Sequence, residues 1–359
     1  MSVIAIVIVA FSTAGAVDYL LGNKFGLGKE FQKAFSMFAP MAMSTLGMLV
    51  LAPALGAWLT PVFEGFYNVF GIDPSIIPAS LFANDMGGMQ LAQSFCKTEA
   101  IGNYNAFVIA AMMGCVISFT IPFSLGIVQK KQHKELFFGL ICGIITIPVG
   151  SFVAGLICRL NPVELLINLL PLLILSVIIG VILIFFAEIC IRGFMVFGLF
   201  MKILGVIGLS CAIFTFLTGI EISPHMGTFE SAAFVCANAC VTFSGMLPAM
   251  LVIEKLLKKP LGTLGEKLGI NTVSALALLG TLVTNASAFG VMDKMDKKGT
   301  VLNAAFAVSA AFVFGSHLAF TMAFDSSYIM PMMAGKLISG VCAVLLAHLI
   351  YRDKGENCK

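Results

Sequence analysis

Asp85 is a carboxylate in an otherwise apolar stretch, SLFANDMGGMQLA (80–92). An ionisable side chain in such a stretch is costly and points to function by default. Asn84 precedes it, and Gly87 and Gly88 follow, so the backbone is free to unwind or turn tightly there. A carboxylate beside an amide and exposed carbonyls is suited to a small cation. The plainer alternative is that Asp85 caps a helix beginning near Met86. A second polar interruption, Thr284-Asn285-Ala286-Ser287 followed by Gly290, offers neutral hydrogen-bonding groups in Asn285 and Ser287. Capping is again the alternative. His317, with Ser316 in FVFGSHLAFTMAF (312–324), has the chemistry to bind a solute or move a proton. A histidine satisfied between helices is the plainer account. Asn84, Asp85, Gly87, Gly88, Asn285, Ser287 and His317 thus form the candidate substrate-binding set.

Enzyme signatures are missing. The chain has no Walker A sequence, HExxH, GxSxG or paired-aspartate motif. No catalytic residue, cofactor or metal is therefore expected, and the chain reads as a non-enzyme. The cysteines are expected to pack as small hydrophobes. Cys236 and Cys240 are one turn apart, but no further ligand joins them.

These residues sit in a chain of 359 residues, 59% hydrophobic and 11% charged. A soluble domain carries roughly a quarter charged residues, so most of this surface must face lipid. The net charge of +3 comes from short clusters between apolar runs, not from a basic stripe, and nucleic acid is not an expected partner. The partners to expect are a small-molecule substrate and the lipid bilayer, with a homo-oligomer left open.

A membrane span needs roughly 20 apolar residues. Spans are expected at 2–22, 36–62, 103–128, 136–158, 165–187, 194–219, 231–253, 300–324 and 331–350. Segments 72–98 and 270–292 carry the two interruptions and read as broken or re-entrant. The expected fold is all-α: a polytopic transmembrane bundle of about nine full spans and two broken helical segments. Cytoplasmic loops are rich in Lys and Arg. With both broken segments returning to the side they left, Lys24, Lys29 and Lys33 fall on one side. Lys130, Lys131 and Lys134, the run from Lys255 to Lys267, Lys294 to Lys298, and Arg352, Lys354 and Lys359 join them. That places the N-terminus outside and the C-terminus inside.

Residues 1–359 form one membrane domain. A faint repeat relates Leu27-Gly28-Lys29-Glu30-Phe31 to Leu264-Gly265-Glu266-Lys267-Leu268, and Leu46–Val50 to Leu279–Val283, giving inverted halves of about 1–130 and 231–350. Interrupted segments in two halves point to a transporter binding site. The residues alone support a carrier for a small polar solute, including an ion-coupled carrier for an amino acid or nucleoside.

Three further pieces are more specific. They are Asp85-Met86-Gly87-Gly88 with Leu91-Ala92, the TIPVG run at 146–150, and the block from Asn285 through FGVMDKMDKKGTVLNAAFAVSAAFVFGSHLAF. With them the chain resembles, over nearly its whole length, the EutH family of bacterial ethanolamine-utilisation membrane proteins. The resemblance implies uptake of ethanolamine across the bacterial cytoplasmic membrane by a multi-pass permease, feeding a cobalamin-dependent lyase inside the cell. Two departures stand out. Ser316 replaces an acidic residue directly before the His317 position, and an extra loop and a longer tail are missing. The first departure shifts weight onto Asp85.

Overall fold

The computed structural model describes residues 3–351. The described chain is helical, with no strand. Its α-helices are α1 (Val3–Leu20), α2 (Leu27–Ser36), α3 (Phe38–Met41), α4 (Gly47–Phe70), α5 (Ile76–Leu81), α6 (Gly88–Phe95), α7 (Glu99–Tyr104), α8 (Ile121–Ile127) and α9 (His133–Ile157). They continue with α10 (Pro162–Phe185), α11 (Ala187–Thr218), α12 (Phe229–Leu268), α13 (Thr272–Thr281), α14 (Ala286–Phe289), α15 (Lys297–Ala310), α16 (Ser316–Phe324) and α17 (Ile329–Ile350). A π-helical turn, Ala42–Leu46, joins α3 to α4, and the π stretches Asn105–Gly114 and Val116–Thr120 join α7 to α8.

Seven stretches are long and apolar enough to cross a membrane: 27–61, 99–127, 130–157, 162–185, 192–218, 229–268 and 326–350. Lipid offers no hydrogen-bond partner to a peptide group, so a chain this apolar closes its backbone bonds within helices. The seven differ in burial. In its most apolar part, the rod from α7 to α8 is 83% buried by protein, whereas α11 is only 22% buried. The π-helical rod is therefore an axis of the fold, and α11 with α10 forms its apolar outer wall. Around the axis α9, α15 and α17 pack together, and α1, α2 and α12 form a second group.

The segment expected to span 300–324 is not one helix. It stops at Ala310 and restarts at Ser316, with Phe312 in left-handed backbone at φ 63°. The sequence here is apolar, so hydropathy carries no sign of the break. The segment expected at 231–253 runs on to Leu268, because its basic, amphipathic extension stays helical past the apolar part. Of the repeat's matched pairs, Leu46–Val50 begins the long α4, while Leu279–Val283 ends the short α13.

Both interrupted segments are hairpins closed at the base by an aspartate. In the first, Asp73 Oδ2 accepts the N–H groups of Lys97 (2.9 Å) and Thr98 (3.3 Å), while Oδ1 accepts Ser75 N–H and hydroxyl (3.0 and 2.6 Å). Ser75 in turn accepts from Asn105 (2.8 Å), which pairs with Asn168 of α10. In the second, Asp296 accepts Asn271 N–H (2.9 Å) and Gly299 N–H (3.0 Å), and Asn271 Nδ2 donates to the Lys294 carbonyl (3.0 Å). Asn303 ties α15 to α13 through the Ser274 carbonyl.

The basic clusters meet at one end. Lys255 donates to the Phe25 carbonyl (3.0 Å), and Gln132 to the Met292 carbonyl (2.6 Å). Asp18 closes the α1–α2 loop at that end by accepting the N–H groups of Phe25 and Gly28. The C-terminal cluster Arg352, Lys354 and Lys359 lies outside the described residues.

Replacing Asp296 by Ala strips the second hairpin's base of its shared acceptor. Hydrogen bonds to a charged group contribute roughly 1.5–3 kcal/mol each, so a loss of about 2 kcal/mol is expected at this half-buried site. It reads as a lowered thermal midpoint in detergent; an unchanged midpoint would place the closure elsewhere.

Candidate functional site

Three breaks meet against the π-helical rod. The first hairpin turns through Phe82 and Ala83, both extended, then a 3-10 turn at Asn84–Met86. Gly87 follows at φ 86°, a conformation glycine adopts without strain, and α6 begins at Gly88. A Cβ on Gly88 would lie 2.1 Å from the Phe82 carbonyl oxygen, so backbone crossing at the turn demands glycine there. The rod holds this turn: Ser118 Oγ accepts Ala83 N–H (3.0 Å) and donates to the Gly114 carbonyl (2.7 Å). The other two breaks satisfy each other. Phe314 N–H donates to the Leu282 carbonyl (2.8 Å) and Phe312 N–H to the Thr281 carbonyl (3.3 Å). Ala83, Cys115, Ala311 and Phe312 then form one buried apolar contact.

The candidate residues separate at this point. Asp85 does not cap α6: Gly87 occupies the cap position with no side-chain bond. Instead the Asp85 carboxylate lies within electrostatic reach of Ser316, beside His317, and of Lys336. Asp85 itself is only half-buried. Asn84 is fully buried; its Oδ1 accepts Asp85 N–H (3.0 Å), and its Nδ2 has no partner among the described residues. Asn285 precedes α14 without capping it; its Nδ2 donates to Thr120 Oγ1 of the rod (2.9 Å), and its Oδ1 has no partner among the described residues. Thr120 in turn contacts Cys115 Sγ at 3.8 Å. His317 is 1% exposed, and neither ring nitrogen has a hydrogen-bond partner among the described residues. Its ring lies 5.2 Å from that of Phe312.

Asn84 and Asp85 thus lie on the turn that Ser118 of the rod holds, Asn285 reaches the rod at Thr120, His317 lies beside Phe312, and Gly87 and Gly88 shape the first turn. Ser287 lines a separate cavity of about 150 Å³ with Thr284, Glu30 and Glu254, at the basic end of the molecule. A larger cavity of about 430 Å³ lies at the base of the first hairpin, lined by Asp73, Lys97, Glu164 and Asn168 among others.

The residue that sequence reasoning missed is Lys336. It is 1% exposed in the middle of α17, and its ammonium donates to the Ala111 carbonyl in the π stretch. A lysine within the apolar run 331–350 was legible by the rule that singled out Asp85. Thr120 and Phe312 had no such signal.

Gly88→Ala drives its methyl into a carbonyl that cannot move aside, and the yield of folded protein is expected to fall sharply. Gly126→Ala in α8, where a Cβ meets nothing within 4 Å, is the matched control and should fold normally. Equal size-exclusion profiles for the two variants would contradict the crossing at Gly88.

Comparison with known proteins places these features in context. The family model described as "Ethanolamine utilisation protein, EutH" matches residues 1–350. The probable ethanolamine permease EutH of Listeria monocytogenes is 37% identical over 342 residues, covering 95% of this chain and 92% of that one. That of Salmonella typhimurium is 34% identical, covering 99% and 97%. Its alignment of 396 positions exceeds the 359 residues of this chain, so that relative carries residues missing here. The uncharacterized protein YxeR of Bacillus subtilis is 34% identical, covering 96% and 93%. No solved structure matches the chain.

Proposed function

This chain belongs to the EutH family of ethanolamine-utilisation proteins, and on that premise we propose that it carries ethanolamine across the bacterial cytoplasmic membrane, holding it as an ammonium at Asp85. The observation that carries this reading is the set of buried polar atoms without partners beside that carboxylate: Asn84 Nδ2, Asn285 Oδ1 and both nitrogens of His317. Buried polar groups are normally paired, and each exception asks for an explanation. Ethanolamine supplies what they lack. Its ammonium donates to Asp85 and to Asn285 Oδ1; its hydroxyl accepts from Asn84 Nδ2 and exchanges a hydrogen bond with His317. The Phe312 ring adds a π face for the cation.

Nine crossings follow if α1 and the broken pair α15–α16 join the seven long stretches. The two hairpins then enter from opposite faces, the N-terminus is outside and the basic end inside. In each half a long helix (α4, α12) precedes a clamped hairpin and then a perturbed helix (the π-helical rod, the α15–α16 pair). This order supports an inverted repeat with the hairpins as its moving parts. The exposed apolar faces of α10 and α11 meet lipid, or a second copy where the chain assembles.

A second reading has one observation in its favour. Asp85 and Lys336 offer opposite charges, which suits a zwitterionic amino acid. Unlabelled glycine or serine would then compete with labelled ethanolamine for uptake, and on the ethanolamine reading they do not.

The free amine crosses lipid unaided, so the carrier matters most at acidic pH and low substrate. In proteoliposomes at acidic pH, Asp85→Asn is expected to lower ethanolamine affinity by about tenfold or more, as loss of a charged hydrogen-bond partner implies. Undiminished saturable uptake by that variant would remove Asp85 from the site.

A further inference from the structure

Lys336 is a cation built into a site for a cation. Its ammonium is tethered to the Ala111 carbonyl, and among the described residues it makes no ion pair. The titratable groups within its electrostatic reach are Asp85 of the first hairpin, Cys115 of the rod and His317 of α16. From α9 and α15 the groups near α17 at this depth are neutral hydroxyls, Thr146 and Ser309, both bonded to Ser339. Tyr328, two turns before Lys336, stacks on Phe107 at 4.9 Å. Among the described residues Asp85 is thus the one carboxylate in reach. One carboxylate balances one ammonium. A second ammonium would leave an uncompensated positive charge in a site walled by protein, which is strongly unfavourable. Lysine, unlike arginine, relieves this by losing its proton.

We propose that the substrate's ammonium and the Lys336 proton occupy the site in alternation, so that the carrier exchanges one protonated amino alcohol for one proton. When substrate binds at Asp85, the Lys336 ammonium gives its proton to water on the side to which the site is open and becomes a neutral amine. The substrate keeps all its N–H bonds. After release on the far side, Lys336 takes a proton from that side and restores the balance with Asp85. The sum is one ammonium inward and one proton outward, with no net charge moved. This inference rests on the ethanolamine reading given above.

The test is labelled-ethanolamine accumulation in proteoliposomes of the full chain at equal pH on both sides. A potassium-diffusion potential of about 100 mV, negative inside, is imposed, and protein-free vesicles are subtracted. Wild type is expected to equilibrate faster than the control yet accumulate nothing, with or without the potential. Lys336→Met, which leaves Asp85 alone with the substrate, is expected to become voltage-driven, with accumulation approaching about 50-fold at 100 mV for one charge. Lys336→Arg keeps a charge that cannot be shed. It should elute as folded protein and lose uptake, which keeps the test decisive where the Met variant does not fold. Voltage-driven accumulation by wild type overturns the exchange while leaving the ethanolamine reading intact. Full uptake by Lys336→Arg does the same. Absence of any protein-dependent flux in wild type overturns the ethanolamine reading and the exchange with it.

Discussion

A peptide group in lipid must find its hydrogen-bond partner inside the protein, and the rest of this structure follows from that constraint. Most of the chain meets it with uninterrupted helix. Three places do not, and each is rescued by a specific neighbour. Ser118 holds the first turn, while the second and third breaks exchange backbone bonds, Phe314 with Leu282 and Phe312 with Thr281. These rescues need a rigid partner buried on all sides. The rod from α7 to α8 is that partner, and the Ala111 carbonyl in its π-helical stretch also accepts Lys336.

The same geometry produces the site. Helix ends facing each other expose Asn84, Asp85, Asn285 and His317, and their polar atoms are not fully used by the fold. In this chain Ser316, where the family resemblance implied an acid, lies within electrostatic reach of Asp85. The departure from the family pattern therefore falls within the proposed site. A hydroxyl there leaves a single carboxylate for the cation, and it makes the charge on Lys336 matter more. The clamps at Asp73 and Asp296 stand apart from this chemistry. They fix where each hairpin begins, and so fix how deep its turn reaches.

Much of this was legible from residue types. Apolar bulk gave the helical membrane class, and polar interruptions with glycine gave both hairpins, because a charged or amide side chain in an apolar run is conspicuous. Asn84, Asp85 and Asn285 came to lie at turns that Ser118 and Thr120 of the rod hold, and His317 came beside Phe312. Ser287 joined neither place, since residues two apart on a short turn face different ways, and it lines the cavity of Glu30 and Glu254 instead. The third break was invisible, because Ala311 to Gly315 is apolar and its distortion is imposed by pairing with a segment thirty residues earlier. Thr120 was silent for a similar reason: its partner, Asn285, is 165 residues away. Lys336 carries the same signal as Asp85, a charge inside an apolar run.

The central claim is that ethanolamine sits among the three breaks as a cation on Asp85. A cryo-EM structure of the protein with ethanolamine bound tests it most directly. The account predicts ligand density bounded by Asn84, Asp85, Asn285 and His317, with the ammonium nitrogen about 3 Å from an Asp85 carboxylate oxygen. Density confined to the cavity at Asp73 and Glu164, or to the one at Glu30 and Glu254, with the Asp85 region unchanged, would contradict it.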